Sequence, residues 1–212
     1  MHTALFALIA TVAIAASPSL LVNPFSDVSE DHVSYDAITS LSARNIISGY
    51  PSAGSGHTQE FRPDAPINRA EFVKIVVGSK AHGQVIETCL FTSSGAIFSD
   101  VPRNEWFAKY VCVAKNFELV YGYPDGTFRP EKTINVAEAS TILARTSGIL
   151  MNPPQDTVWY RPFMASLLAR NAIPPSAEDP NKLLTRGEMA EMMWRIENGP
   201  SRAPSPVLEV EE

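Results

Sequence analysis

An internal repeat is the feature that most constrains this chain. Phe25-Ser26-Asp27-Val28 returns 73 residues later as Phe98-Ser99-Asp100-Val101, and the same shift carries Gly49-Tyr50-Pro51 onto Gly122-Tyr123-Pro124. Beyond this Gly-Tyr corner the shift falls to 67, because the loop of the first copy is six residues longer. Such repeats predict small units that bury their apolar faces against one another.

A third copy is weaker and lacks the corner. Residues 159–174 resemble 106–120 and residues 183–196 resemble 66–78, but 175–182 replace the Gly-Tyr-Pro-Asp-Gly-Thr-Phe loop. Each copy therefore indicates a helix, a shaped loop and a second helix. The predicted copies span 24–84, 85–150 and 151–198, and a Pro-rich acidic tail follows over 199–212.

The second helices share one start signal, a capping box after an apolar residue. The three boxes are Asn68-x-x-Glu71, Asn135-x-x-Glu138 and Thr185-x-x-Glu188. The residue before each Glu is small: Ala70, Ala137 or Gly187. We expect these small residues to let the second helices pack closely around a pseudo-threefold axis, with Glu191 outside the contact. The predicted fold class is mainly α.

The first helices show apolar residues at helical spacing, which predicts buried faces. These faces are Trp106, Tyr110, Val113, Ala114 and Phe117 in copy 2, and Trp159, Phe163, Leu167 and Leu168 in copy 3.

Composition and the N-terminus indicate an exported protein. The 212 residues carry a net charge of -6, which argues against nucleic acid as the main partner. The apolar run from Ala4 to Ala16, with an Ala-x-Ala pattern at its end, predicts a signal peptide over 1–16 and no membrane span after its cleavage. Its start has His2 but no Lys or Arg, so an uncleaved anchor or a misassigned start remains the alternative.

Cys89 and Cys112 fit the same compartment. In an oxidising environment they are expected to pair, and two buried free thiols are the alternative.

No catalytic pattern occurs in the sequence. The four histidines, His2, His32, His57 and His82, lack metal-ligand spacing, and Asp125-Gly126 is a turn without the alternating acids of a calcium loop. We therefore expect neither an enzyme nor a cofactor.

Residues 24–198 resemble three copies of the S-layer homology (SLH) domain. The resemblance rests on Phe-Ser-Asp-Val, the Trp-Phe/Tyr pair, Gly-Tyr-Pro-Asp-Gly-Thr-Phe-x-Pro and the Asn/Thr-Arg-Ala/Gly-Glu helix start. It implies a three-pronged spindle with a central three-helix bundle and grooves between copies. It also implies secretion to the cell envelope and attachment to a cell-wall polysaccharide, often a pyruvylated one.

Arg69 and Arg186 are the leading candidates for binding this polymer. Each follows a helix N-cap, where a cation interacts unfavourably with the helix dipole, so we expect that local stability does not require it. A guanidinium beside exposed backbone N–H groups is a receptor for a carboxylate, such as that of a pyruvyl ketal or uronic acid. An ordinary solvated Arg paired with an acid is the alternative.

Aromatic rings supply the stacking half of a sugar site. The candidates are Trp106, Trp159, Tyr50 and Tyr123, with core packing as the alternative for each, whereas Trp194 is expected in the core. Gly49 and Gly122 complete the candidate set. The simpler interpretation of both glycines is that the backbone of the corner requires them, and not that they contact a ligand.

No copy carries the complete motif. Copy 2 has Val136 in place of the Arg, copy 1 has Val33 in place of the Trp, and copy 3 lacks the corner. We expect one or two competent grooves and a degenerate groove served by copy 2. Arg69 ranks first, with Trp106 and Tyr123 as its stacking partners, and Arg186 ranks second.

Two hypotheses follow from these patterns. The first is a non-catalytic module that anchors to an acidic wall polysaccharide. The second is a secreted module that assembles with surface-layer or other envelope proteins on an SLH scaffold that has lost glycan binding.

Overall fold

The structure is a computed structural model that describes residues 23–52, 59–151, 153 and 155–199. The predicted signal over 1–16, the tail beyond residue 199 and His57 lie outside the described residues. The mainly α fold is confirmed, and within the described ranges no helix is both long and apolar enough to cross a membrane. The elements are α1 Tyr35–Ala43, β1 Tyr50–Pro51, β2 Gln59–Glu60, α2 Arg69–Lys80, α3 Gly83–Thr92, α4 Ala108–Asn116, α5 Val136–Thr146, α6 Arg161–Leu168, a 3-10 helix Pro175–Ala177 and α7 Arg186–Asn198.

A ring of three backbone hydrogen bonds joins the copies just before their second helices. The N–H of Ile67 donates to Leu184 at 3.1 Å, that of Leu184 to Ile134 at 2.9 Å, and that of Ile134 to Ile67 at 3.1 Å. All three side chains are buried. Each copy donates once and accepts once, so the ring closes as a pseudo-threefold arrangement requires. The spindle outline itself stays a prediction.

The second helices α2, α5 and α7 begin with the predicted capping boxes, and each box forms both of its hydrogen bonds. The first two N–H groups of each helix then donate to the loop of another copy. The donor and acceptor pairs are Arg69 to Lys132, Ala70 to Pro130, Val136 to Lys182, Ala137 to Pro180, Arg186 to Ala65 and Gly187 to Pro63. These bonds also run cyclically, from copy 1 to copy 2, from copy 2 to copy 3 and from copy 3 to copy 1, which is opposite to the direction of the ring.

Gly187, the small residue near the start of α7, meets a loop and not another second helix, so the helix–helix contact expected at this residue is wrong. A Cβ on Gly187 would lie 3.1 Å from the carbonyl oxygen of Pro63 and 3.4 Å from the hydroxyl of Ser34. The reason is that the helix N-terminus approaches the loop that accepts its N–H groups. Glu191, expected outside the contact, is buried, and its carboxylate lies 2.6 Å from Nε of Arg195.

Each first helix packs against the second helix of another copy: α4 on α2, α6 on α5 and α1 on α7. The predicted buried faces are correct for Val113, Ala114, Phe163 and Leu167, and Tyr110 and Trp194 are partly buried against the core. They are wrong for Trp106 and Trp159, which precede α4 and α6 and are 49% and 57% exposed. Phe117 and Leu168, at the far ends, are also exposed.

The Asp of each Phe-Ser-Asp-Val segment holds the loop of its own copy. The carboxylate of Asp27 accepts hydrogen bonds from the N–H groups of Phe61 and Arg62 at 2.8 and 2.7 Å, and Asp100 repeats both bonds in copy 2. Arg62 has a φ of 59°, in the left-handed region that non-glycine residues seldom adopt. The carboxylate thus stabilises a strained turn and fixes the buried Phe beside it.

Helix α3 is an element that the sequence did not predict. It begins at Gly83 without a side-chain cap, so no start signal marks it, and the predicted boundary at residues 84 and 85 falls inside it. It packs on α4, and Cys89 of α3 is joined to Cys112 of α4, which confirms the predicted disulfide.

We predict that Gly187→Leu lowers the free energy of unfolding by about 1–3 kcal/mol, because the added side chain overpacks the contact with the Pro63 loop. Gly78→Leu is the matched control, since Gly78 is an exposed α2 residue whose added Cβ would meet nothing within 4 Å. The control should be neutral or slightly stabilising because Leu favours the helix more than Gly does. Denaturant titrations that show equal losses would contradict the close approach.

Non-reducing peptide mapping should recover Cys89 and Cys112 in one linked species. The double variant Cys89→Ser/Cys112→Ser should unfold more easily by about 3 kcal/mol in the simple chain-entropy model, since the bond restricts the unfolded chain. If both thiols of the folded, air-oxidised protein alkylate without reductant, the pairing is refuted.

Candidate functional site

Two grooves lie between neighbouring copies and are built from equivalent residues. In each, a Tyr and the capping-box Glu come from one copy, a Trp comes from the next, and an Arg comes from the remaining copy. No single copy therefore builds a site alone. Groove A, about 230 Å³, is lined by Tyr50, Glu71, Trp106 and Arg186, and groove B, about 670 Å³, by Tyr123, Glu138, Trp159 and Arg69.

Each groove Arg is held between two aromatic rings. The guanidinium carbon of Arg69 lies 5.0 Å from the ring centre of Tyr123 and 4.8 Å from that of Phe128, and its Nε donates to the Phe128 carbonyl at 2.8 Å. Arg186 repeats the arrangement in groove A, with ring distances of 4.8 and 4.6 Å and a bond of 2.8 Å to the Phe61 carbonyl. The two residues are only 5% and 4% exposed.

The expectation that local stability does not need these Arg residues is wrong. Without Arg69, the carbonyl of buried Phe128 would lose its donor, and Glu138 would lose a cation that lies 3.4 Å from its Oε2. The expected backbone receptor is also wrong, because the first two N–H groups of each second helix already donate to a neighbouring loop. The guanidinium and the aromatic rings, and not these backbone N–H groups, line the grooves.

The structure changes which residues share a groove. Arg69 faces Tyr123 and Trp159, not Trp106, and Arg186 faces the intact corner of copy 1. Part of the ranking of Arg69 over Arg186 assumed that an Arg depends on the corner of its own copy, which copy 1 keeps and copy 3 lacks. That assumption is wrong, because the start of each second helix contacts the loop of another copy.

Electrostatics differ between the two grooves. Burial raises the pKa of Glu138, but the Tyr123 hydroxyl, Arg69 and Lys132 outweigh it and hold that pKa below its ordinary value. The ionised Glu138 therefore partly neutralises Arg69. In groove A, burial lowers the pKa of Arg186, and among the described residues no carboxylate forms a salt bridge with it.

The two corner glycines serve the backbone, as the simpler interpretation expected. A Cβ on Gly49 would lie 2.6 Å from the Glu60 carbonyl oxygen, and one on Gly122 would lie 2.5 Å from the ring of Phe98. Gly122 also has a φ of +76°. These glycines let the corner close, and direct contact with a ligand stays a prediction for both.

All three departures from the motif fall at the positions that correspond, in the cyclic order, to one further groove between copies 3 and 1, which we call groove C. Val136 stands where the other grooves have Arg, and its N–H donates to the Lys182 carbonyl of copy 3. Val33, 64% exposed, replaces the Trp. Ser176 of the substituted loop and Lys182 satisfy Glu188 in place of a Tyr. The positions served by copy 2 thus lack the Arg, the Trp and the Tyr, and the loss of binding there stays a prediction.

Sequence reasoning missed three cations at the grooves. Lys74 lies 5.7 Å from the ring centre of Trp106 in groove A, and Lys132 donates to the Tyr123 hydroxyl at 2.8 Å in groove B. Arg145 lines groove B. Lys74 and Arg145 follow the capping-box Glu of their helices by three and seven residues, the spacing of one helix face, so a signal existed. Within the described ranges, no cluster of three His, Cys, Asp or Glu side chains suits a metal ion.

The fold and the grooves define a helical repeat protein whose sites each draw on three copies. Residues 24–73 and 97–140 match the family model of the S-layer homology domain. These two segments are S-layer homology domains, and the chain is an S-layer homology domain protein. The third copy lies outside the matched segments but keeps the capping box and the buried Arg.

Relatives are surface proteins of much greater length. The chain is 30% identical over 190 residues to the middle cell wall protein of Brevibacillus brevis, which covers 85% of this chain and 17% of that protein. It is 28% identical over 203 residues to the surface layer protein of Brevibacillus choshinensis, covering 88% and 17%. A cellulosome-anchoring protein of Acetivibrio thermocellus is 31% identical over 130 residues, covering 58% and 25%. The chain thus spans about a sixth to a quarter of these relatives.

We predict that Arg69→Ala lowers the free energy of unfolding by about 1–3 kcal/mol, because it leaves a buried carbonyl unpaired. Arg44→Ala is the matched control: Arg44 is largely exposed and pairs with Glu197 at 2.6 Å, so its loss should stay within about 0.5 kcal/mol. Thermal and urea unfolding of both variants measure the difference. Equal stability of the two would show that the buried Arg contacts contribute nothing.

Proposed function

We propose that this chain is a non-catalytic module that attaches to the cell wall by binding an acidic secondary polysaccharide in grooves A and B. The observation that carries the proposal is the pairing of a cation with an exposed aromatic ring in each groove: Arg186 with Trp106, and Arg69 with Trp159. A guanidinium recognises a carboxylate, and a ring stacks on the apolar face of a sugar. A pyruvylated sugar or a uronic acid offers both features.

The comparisons support the location. The relatives are named as cell wall, surface layer and cellulosome-anchoring proteins, and we place this chain at the surface of the cell envelope for that reason. The wall polysaccharide is its expected partner. Two grooves on one module favour a repeating polymer, because the second contact becomes intramolecular after the first forms.

Substitutions at the two Trp residues test this proposal better than substitutions at the Arg residues, which also hold the fold. Trp106→Ala and Trp159→Ala should each weaken binding to purified wall sacculi about tenfold, which corresponds to about 1.4 kcal/mol, and the double variant should lose more than either. The rings are half exposed, so the melting temperature should change little. Phe91→Ala is the matched control, since Phe91 is 90% exposed and outside both grooves.

Cosedimentation with sacculi of the producing organism, before and after chemical removal of the secondary polymer, provides the measurement. Binding should require the polymer and should weaken as salt rises, because an ionic contact is screened. If the folded double Trp variant sediments as well as the wild type, the glycan-binding proposal fails. The chain would then be the assembly module of the second hypothesis.

A further inference from the structure

Groove B extends beyond the residues that it shares with groove A. Its volume of about 670 Å³ compares with about 230 Å³ for groove A. The added wall includes Tyr121 and Arg145, together with Gln155 and Asp156 from the connector to copy 3. Tyr121 is 64% exposed, so its ring is open to a ligand. The larger groove has room for more than one sugar residue.

Arg145 is a cation of this wall; burial lowers its pKa, and Tyr121 and the nearby carboxylate of Glu118 act in the opposite direction without forming a salt bridge. Its guanidinium carbon lies 4.6 Å from the ring centre of Tyr121 and 4.8 Å from that of Phe163. No hydrogen bond or salt bridge to its side chain occurs among the described residues. Asp156, the acid of the same wall, instead pairs with Arg161 at 2.8 Å. Arg145 also borders a second cavity, but both rings that hold it belong to groove B.

Groove A has neither member of this pair. Ser48 occupies the position of Tyr121 directly before the corner glycine, and Gly78 occupies the position of Arg145 in the second helix. The ring and the cation are thus absent together from groove A and present together in groove B. A structural role common to both grooves would not produce that difference.

The two cations of groove B are held at different levels of α5. Arg69 pairs with Glu138, and Arg145 follows Glu138 by seven residues, which is about 10 Å along the helix axis. Each guanidinium also contacts its own pair of rings, Tyr123 and Phe128 for Arg69 and Tyr121 and Phe163 for Arg145. Two acidic groups on successive parts of one polymer would match this arrangement.

We propose that Tyr121 and Arg145 form a second subsite in groove B, which binds an additional acidic sugar of the same polysaccharide chain. This inference rests on the proposed function, since it extends the glycan site of groove B. The ring of Tyr121 stacks on the sugar, and the guanidinium of Arg145 binds its carboxylate. Groove B therefore reads a longer segment of the polymer than groove A does.

The test uses the full chain carrying Trp106→Ala, so that groove B dominates binding. The probes are oligosaccharides released by mild acid from the wall polymer, separated into a fraction with one acidic group and a fraction with two. Calorimetry should show the two-acid fraction binding about tenfold more tightly. Arg145→Gln and Tyr121→Ser should each remove that advantage, so that the two fractions bind with equal affinity. Arg170→Gln is the matched control, because Arg170 is exposed and lines neither groove.

Introducing the Tyr and the Arg into groove A distinguishes a binding role of Arg145 from a merely structural effect of Arg145→Gln. Ser48→Tyr/Gly78→Arg, made in a Trp159→Ala background, should give groove A a preference for the two-acid fraction. Equal affinities for the two fractions in Trp106→Ala, or an unchanged preference in Arg145→Gln, would overturn the subsite and leave the proposed function intact. If the chain with both Trp residues intact binds neither fraction nor sacculi, the proposed function falls and the subsite falls with it.

Discussion

The ring of backbone hydrogen bonds among Ile67, Ile134 and Leu184 is the constraint on which the rest of the structure depends. Each copy supplies one N–H donor and one carbonyl acceptor to the ring, so these groups are paired only between copies. The ring residues are buried, and an unpaired buried amide is costly. The helix starts donate to loops of the same three copies, and these bonds run around the copies in the opposite direction. Both grooves inherit that order.

The cyclic order explains how incomplete copies build complete sites. Because the Tyr, Trp and Arg of a groove come from three different copies, a defect in each copy need not disable three grooves. Here Val33, Val136 and the substituted loop of copy 3 converge on groove C. Counting motif residues copy by copy therefore underestimates the number of complete grooves. Counting them groove by groove gives two full sets of Tyr, Trp and Arg.

The sequence alone predicted the features that depend on local chemistry. The capping boxes and the mainly α class follow from short patterns whose interactions lie within a few residues. The Cys89–Cys112 bond follows from the oxidising compartment that the N-terminal segment predicts. The sequence placed Tyr123 with Arg69, but it did not predict the carbonyl partners of Arg69 and Arg186, because burial of a guanidinium depends on a loop from another copy. It also missed α3, whose stability comes from packing on α4 and the disulfide in place of a cap.

The contacts that hold the copies together are made by the backbone, whereas the grooves are lined mainly by side chains. The ring and the helix-start bonds use only N–H and carbonyl groups, so groove C keeps them although its side chains have changed: Val136 still donates to Lys182, and Leu184 still donates to Ile134. Exposed groove residues such as Trp106, Trp159 and Tyr121 are free to vary by the same reasoning. The buried Arg residues are the exception, since each donates a hydrogen bond to a backbone carbonyl of the scaffold and also lines a groove. In grooves A and B, that shared residue couples the position of the binding cation to the packing of the repeats.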